Sequence, residues 1–197
     1  MTPLEFVRAA RVPHSLEPQT FGLWTIERHI TQPCEAVTAC FDDYTILRRW
    51  STRSLHLPAG EVVMLDTMQE LVSHMPIWLA ARGRVLITGL GLGCVVRGLL
   101  ANPEIEHVDV VEIDEAIIRV IGPEFAGNER LTLHHGDATT IELPGRHWDF
   151  AWHDLWVDDG CLQLVHAHLL KRFHGRTGRQ GAWKMPRWFR RRLPELL

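Results

Sequence analysis

The chain has 197 residues, of which 46% are apolar and 23% charged, with a formal net charge of −3. That length suits one domain, or one domain with a small appendage, and the composition argues against disorder over most of it. There is no run of about 18 apolar residues to span a bilayer. Met1 to Ala10 carry charge without an apolar signal core, so a cytoplasmic location is expected.

From the N-terminus to about residue 75 the sequence reads as a β-rich region. Phe21–Ile30 and Tyr44–Trp50 mix β-branched and aromatic residues in short runs, and Glu61–Leu65 follows a Pro58-Ala59-Gly60 turn. Leu71, Met75, Trp78 and Leu79 recur at helical spacing from about Thr67, and Pro76 breaks or kinks that helix. Asp66 or Thr67 is placed to cap it, with Glu70 completing a capping box. Glu70 and His74, four residues apart, read as a helix-surface pair, with acceptor binding as the alternative.

Residues 76–160 alternate strands and helices. Val85–Thr88 is an apolar strand and Cys94–Leu100 a helix. His107–Ile113 is a strand and Glu115–Ile121 a helix. Leu131–His134 and Asp149–His153 are further strands. This alternation predicts an α/β fold with a doubly wound, mostly parallel Rossmann-like sheet. The third region, 161–197, is expected to be a helical basic tail, although Gly181–Met185 has the makings of an edge strand. The tail holds nine of the 21 Lys and Arg and one acid, Glu195, so it is about +8 against about −11 elsewhere. Nucleic acid is one partner for such a tail, and docking on the acidic body is the other reading. The four cysteines, Cys34, Cys40, Cys94 and Cys161, have no zinc-like spacing and read as free thiols, with a Cys34–Cys40 disulfide as the alternative. No metal is expected.

Four features carry chemistry. Thr88-Gly89-Leu90-Gly91-Leu92-Gly93 lies between a strand and a helix, where glycines allow a tight turn and close backbone approach to a ligand. Glu112, at the end of the second strand, is placed to accept both hydroxyls of a ribose. Asp137, in Gly136-Asp137-Ala138, can accept from the amine of adenine. Asp154 ends the fourth strand. All four converge on the carboxyl edge of the sheet, where open α/β sheets bind ligands. Asp154 and His153 are strand neighbours facing opposite ways, so Asp154 is the expected base and His153 packs on the other face. His134 and His135 read as structural, and Trp152, Trp156, Trp183 and Trp188 as packing residues or the lining of an acceptor pocket.

VLITGLGLG, VEID (Val111–Asp114) and GDA (136–138) together resemble the Rossmann-like (class I) S-adenosylmethionine-dependent methyltransferases, and among them the spermidine synthase-like branch. The resemblance runs from about Asp66 to Asp159. It implies S-adenosylmethionine as cofactor, held by Gly89, Gly91, Gly93, Glu112, Asp137, Ala138 and Gln69, with Asp154 matching the catalytic acid of aminopropyltransferases. Two departures stand out. The synthases carry an Asp in a GGGDGG loop where this chain has Leu92, and they continue past the catalytic Asp with a D-S-S-D-P type run where this chain reads Asp154-Leu155-Trp156-Val157. No N/D-P-P-Y/F tetrapeptide follows the fourth strand, so methylation of DNA amines is not expected. The expectation is an S-adenosylmethionine-dependent methyltransferase acting on a small-molecule acceptor, with a homodimer as one assembly. The alternatives are a spermidine synthase-like aminopropyltransferase, or a non-catalytic adaptor working through its basic tail.

Overall fold

A computed structural model describes residues 1–30, 43–50, 60–143, 146–155 and 162–184. Cys34, Cys40, Trp156, position 157, Cys161, Trp188 and the Arg-rich end lie outside the described residues.

The chain opens with a helix, α1 (Pro3–Ala10), where the sequence reading expected only strands and turns. Its start is fixed by a reciprocal cap. The Thr2 hydroxyl accepts from the Glu5 N–H, the Glu5 carboxylate accepts from the Thr2 N–H, and Pro3 supplies a preset first turn. Phe6, Val7 and Ala10 are buried, and Phe6 stacks on Trp78 at 6.2 Å.

Four antiparallel strands follow in simple order: β1 (Gln19–Phe21), β2 (Trp24–Ile30), β3 (Asp43–Arg49) and β4 (Glu61–Leu65). The segment Phe21–Ile30, expected as one strand, is split by a hairpin turn at Gly22 and Leu23. The buried Asp66 carboxylate ties this sheet to the N-terminal segment. It accepts from Arg11 Nε at 2.8 Å, from the Val12 N–H at 3.0 Å and from the Thr45 N–H. Asp66 therefore joins segments, and Thr67 caps α2 (Met68–Ser73) by accepting from the Glu70 N–H. The helical run breaks at His74 and resumes as α3 (Met75–Ala80), with Pro76 in its first turn.

The main sheet is wholly parallel. Its strands are β5 (Gly83–Thr88), β6 (Ile105–Glu112), β7 (Leu131–His135), β8 (Trp148–His153) and β9 (Thr177–Ala182), in the order β7-β6-β5-β8-β9. Helices α4 (Cys94–Ala101), α5 (Glu115–Ile121) and α6 (Leu162–Arg172) connect strands across it. Alternation sorts the side chains: Val85 and Ile87 join the core with α1 and α4, and Leu86 joins the core under α6 with Trp148 and Phe173. The strand order reverses beside β5, which opens a crevice at the carboxyl ends of β5 and β8.

The region expected as a helical tail supplies a helix, α6, and then the edge strand β9, which starts four residues ahead of the Gly181–Met185 segment expected as an edge strand. β9 pairs in parallel with β8 and completes five strands. Among the described residues, no helix is long and apolar enough to cross a membrane.

Candidate functional site at the carboxyl edge of the parallel sheet

The loop after β5 is shaped by backbone constraints. Gly89 has φ +95°, and a Cβ there would collide with the carbonyl oxygen of Asp154. Gly93 has φ +78°, and a Cβ there would lie 2.7 Å from the Phe125 ring. Both need the left-handed region without a side chain. The crossing at Gly89 holds the glycine loop and the end of β8 in contact, with the Asp154 N–H donating to the Thr88 carbonyl at 2.9 Å.

Glu112 stands opposite this loop. One carboxylate oxygen accepts from the Leu90 N–H at 2.8 Å and the other from the Asp114 N–H at 2.9 Å. Each oxygen keeps acceptor capacity toward the cleft, which suits two neighbouring hydroxyls. Burial raises the proton affinity of this carboxyl, and the two backbone N–H groups oppose that rise. Asp114 caps α5 by accepting from the Ala116 N–H, and its second oxygen accepts from Trp24 Nε1 at 2.8 Å. Through that bond β2 leans over the cleft, and the Arg49 guanidinium lies 5.4 Å from the Trp24 ring centre.

A cavity of about 120 Å³ lies between these elements. Gly89, Gly91 and Glu112 line one end, and Glu70, His74, Asp154 and Trp183 line the other. Trp24, Leu47 and Met64 from the antiparallel sheet form a third wall.

The second end is rich in titratable groups. Desolvation pushes the Asp154 carboxyl up to about 7, against the pull of Lys184. Burial also raises Glu70. Asp154 adds to that rise, and His74 and Lys184 oppose it. His74 is 1% exposed, and burial depresses its pKa to about 4, so its ring is neutral at pH 7. Its Nδ1 lies 3.7 Å from Asp154 Oδ2. The ring sits between Trp183, at 6.3 Å and nearly parallel, and Trp78, at 5.9 Å. Trp183 is itself anchored by donating from Nε1 to Ser73 Oγ at 3.0 Å.

Of the residues expected from sequence, Gly89, Gly91, Glu112 and Asp154 come together in this one cleft. Gly93 sits behind them as the N-cap of α4. Asp137 and Ala138 follow β7 but are not cleft walls. The Asp137 carboxylate accepts from the N–H and hydroxyl of Thr139, and Ala138 is buried in the core under α6. Gln69 is exposed on α2 and does not line the cleft, although the next residue, Glu70, does. Leu92 is fully buried in the core and does not face the cleft.

His153 lies on the opposite face from Asp154, as strand alternation requires. It bonds Thr88 Oγ1 through Nδ1 at 3.1 Å and stacks on Phe173. His134 pairs with the buried Asp109 at 2.8 Å, and His135 Nε2 lies 3.1 Å from the Ile113 carbonyl oxygen. Among the tail cations, Arg172 and Arg176 donate to the Ile141 and Leu143 carbonyls and so dock on the body.

The spacing of Glu70 and His74 suggests a helix-surface pair first and acceptor binding second. The helix ends at Ser73, which swings the His74 ring inward. Trp24 and Met64 gave no comparable hint, because they reach the cleft from a separate sheet.

Residues 65–141 match the spermine/spermidine synthase domain family. A polyamine aminopropyltransferase from Agathobacter rectalis is 33% identical over 129 residues, covering 59% of this chain and 44% of that protein. Another, from Streptococcus uberis, is 28% identical over 152 residues, covering 71% and 52%. A ribosomal RNA small subunit methyltransferase A from Pseudomonas fluorescens is 40% identical over 60 residues, covering 30% and 22%. The chain spans about half the length of the two aminopropyltransferases it matches. The sequence resemblance to the spermidine synthase-like branch is borne out over the matched segment.

Proposed function

We propose that this chain, whose residues 65–141 carry the spermine/spermidine synthase domain match, is a transferase moving an alkyl group from an adenosyl sulfonium to an amine, as an aminopropyltransferase does. The curated relatives favour this reading over the methyl transfer expected from sequence. The observation that carries it is the pairing within one cleft of a ribose-type carboxylate, Glu112, with two proton-hungry carboxyls, Asp154 and Glu70.

The residues present fit an adenosyl group. Glu112 has acceptor capacity for two hydroxyls, and the glycine loop leaves no side chain between Gly89 and the cleft. The sulfonium supplies an electrophilic carbon and a neutral thioether leaving group. The protein's part is to bind, align and deprotonate the acceptor. A carboxyl titrating near 7 is matched to taking a proton from an ammonium at neutral pH. Glu70 beside it is a second carboxyl at this end of the cleft, and burial raises its proton affinity too.

Methyl transfer is the second reading, favoured by Leu92, which stands where the synthases carry an acid. The co-product separates the two. Incubation with decarboxylated S-adenosylmethionine and putrescine should release 5′-methylthioadenosine. Release of S-adenosylhomocysteine from S-adenosylmethionine, with no 5′-methylthioadenosine from the decarboxylated form, would establish the second reading instead.

A further inference from the structure

His74 is a buried polar side chain that the fold alone does not account for. Neither ring nitrogen has a hydrogen-bond partner among the described residues, and Asp154 Oδ2, at 3.7 Å, is beyond bonding range. Leaving such a group unpaired in the interior costs stability, so natural chains keep one mainly where something else uses it. His74 also lines the cleft, between Glu70 and Asp154 and against Trp183. The aromatic rings of Trp78 and Trp183 on either side fix its plane.

We propose that His74 is an acceptor-side binding residue, whose neutral imidazole accepts a hydrogen bond from the acceptor nitrogen while Asp154 takes its proton. This rests on the amine-transfer reading above and names a residue which that reading does not require.

The chemistry asks for such a group. An ammonium entering the cleft gives one proton to Asp154 and keeps two N–H bonds. The freed lone pair forms the new C–N bond. The C–S bond breaks, and its electron pair stays on sulfur. The nitrogen leaves as a secondary ammonium, still carrying two N–H bonds, and the proton on Asp154 passes to solvent. Throughout, the nitrogen has N–H groups to satisfy in a desolvated place.

A second carboxylate could serve, and Glu70 is near, but its raised proton affinity shows what a further buried anion costs here. An imidazolium would repel both the sulfonium and the ammonium. A neutral imidazole supplies a lone pair with no charge, and burial keeps His74 in that form. The charged groups facing it are Glu70 on α2, Asp154 at the end of β8 and, beyond Trp183, Lys184.

The test uses the full chain with putrescine as the amine. The variant His74→Leu removes the lone pair, and His74→Gln keeps an acceptor. His74→Leu should lower kcat/KM for putrescine roughly 10- to 100-fold, the scale of one hydrogen bond to a charged group. His74→Gln should recover part of that loss. Affinity for 5′-methylthioadenosine, measured by calorimetry, should be unchanged in both. A merely structural role would lower both ligands' affinities together and would show no rescue by Gln.

Because His74→Leu can fail to fold, the wild-type protein gives an independent readout. With 5′-methylthioadenosine saturating, added putrescine should shift the ¹⁵N resonances of the His74 ring while leaving it neutral. Unmoved His74 resonances in a protein that binds putrescine would overturn this proposal alone. Failure of the wild-type protein to bind any adenosyl ligand would overturn it together with the function it rests on.

Discussion

Two carboxyls in one cleft are prepared for opposite tasks. Glu112 receives backbone N–H bonds on both oxygens, which favour its ionised form against the cost of burial. Glu112→Ala should weaken binding of adenosyl ligands by about 1–3 kcal/mol in calorimetric titration. Among the described residues Asp154 has no such support, and desolvation lifts it to about 7. Its deprotonated form should be the active one, so kcat/KM should rise with pH through about 7, and Asp154→Asn should abolish that limb along with most of the activity. The same shift affects stability. A carboxyl whose folded pKa lies above its unfolded value favours folding at low pH and loses that contribution as pH rises from about 4 to about 7. Asp154→Asn should therefore stabilise the fold relative to wild type at pH 8 in chemical denaturation, with the difference shrinking toward pH 4.

The elements explain how such distant residues meet. The turn after β5 crosses the end of β8 at Gly89, where backbone meets backbone. Gly89→Ala adds a collision to a left-handed φ and should cost at least about 1–3 kcal/mol in denaturant midpoint experiments, with loss of adenosyl binding. Gly127 serves as the control. It too has a left-handed φ, +79°, but nothing lies within 4 Å of its missing Cβ, so Gly127→Ala should cost only about 1–2 kcal/mol of backbone strain and spare the site.

The strand, glycine turn and helix of β5 and α4 were legible in sequence because an apolar run, three glycines and a second apolar run leave little choice. β9 was legible only at its end, where Gly181–Met185 has the makings of an edge strand, since Thr177-Gly178-Arg179-Gln180-Gly181-Ala182 has no apolar alternation. It is a strand because β8 pairs with it, and its glycines permit close approach, with a Cβ at Gly181 lying 2.8 Å from the Trp152 ring. Helix α1 carried a readable cap in Thr2, Pro3 and Glu5, but eight residues are too few for periodicity to assert itself. The Glu70–His74 pair had visible spacing, and Pro76 marked the break that follows it, but the burial of the His74 ring against Trp183 brings in a residue far away in sequence and could not be read locally.

At the scale of the molecule, the two sheets meet at the cleft, and buried histidines on both faces of the parallel sheet are held neutral. Desolvation depresses His74 to about 4, His153 to about 3 and His166 to about 4. Groups with folded pKa values below their unfolded ones leave the fold fully stable above about 6.5 and weaken it as pH falls from there toward 4. The raised carboxyls Asp154, Glu70 and Glu112 trend the opposite way, and where the three histidines prevail the melting temperature drops between pH 7 and pH 5. Replacing His153, whose Thr88 contact lies in the interior, should flatten that drop while also lowering stability at pH 7.

The central claim, that the cleft between the glycine loop and Asp154 holds an adenosyl ligand through Glu112, is tested most directly by calorimetric titration. Wild-type protein and Glu112→Ala would be titrated with S-adenosylmethionine, its decarboxylated form and 5′-methylthioadenosine. The account predicts micromolar binding to wild type, tightest for the decarboxylated form or its co-product, and clear weakening in the variant. Folded wild-type protein that binds none of the three, or a variant that binds all three equally well, would contradict it.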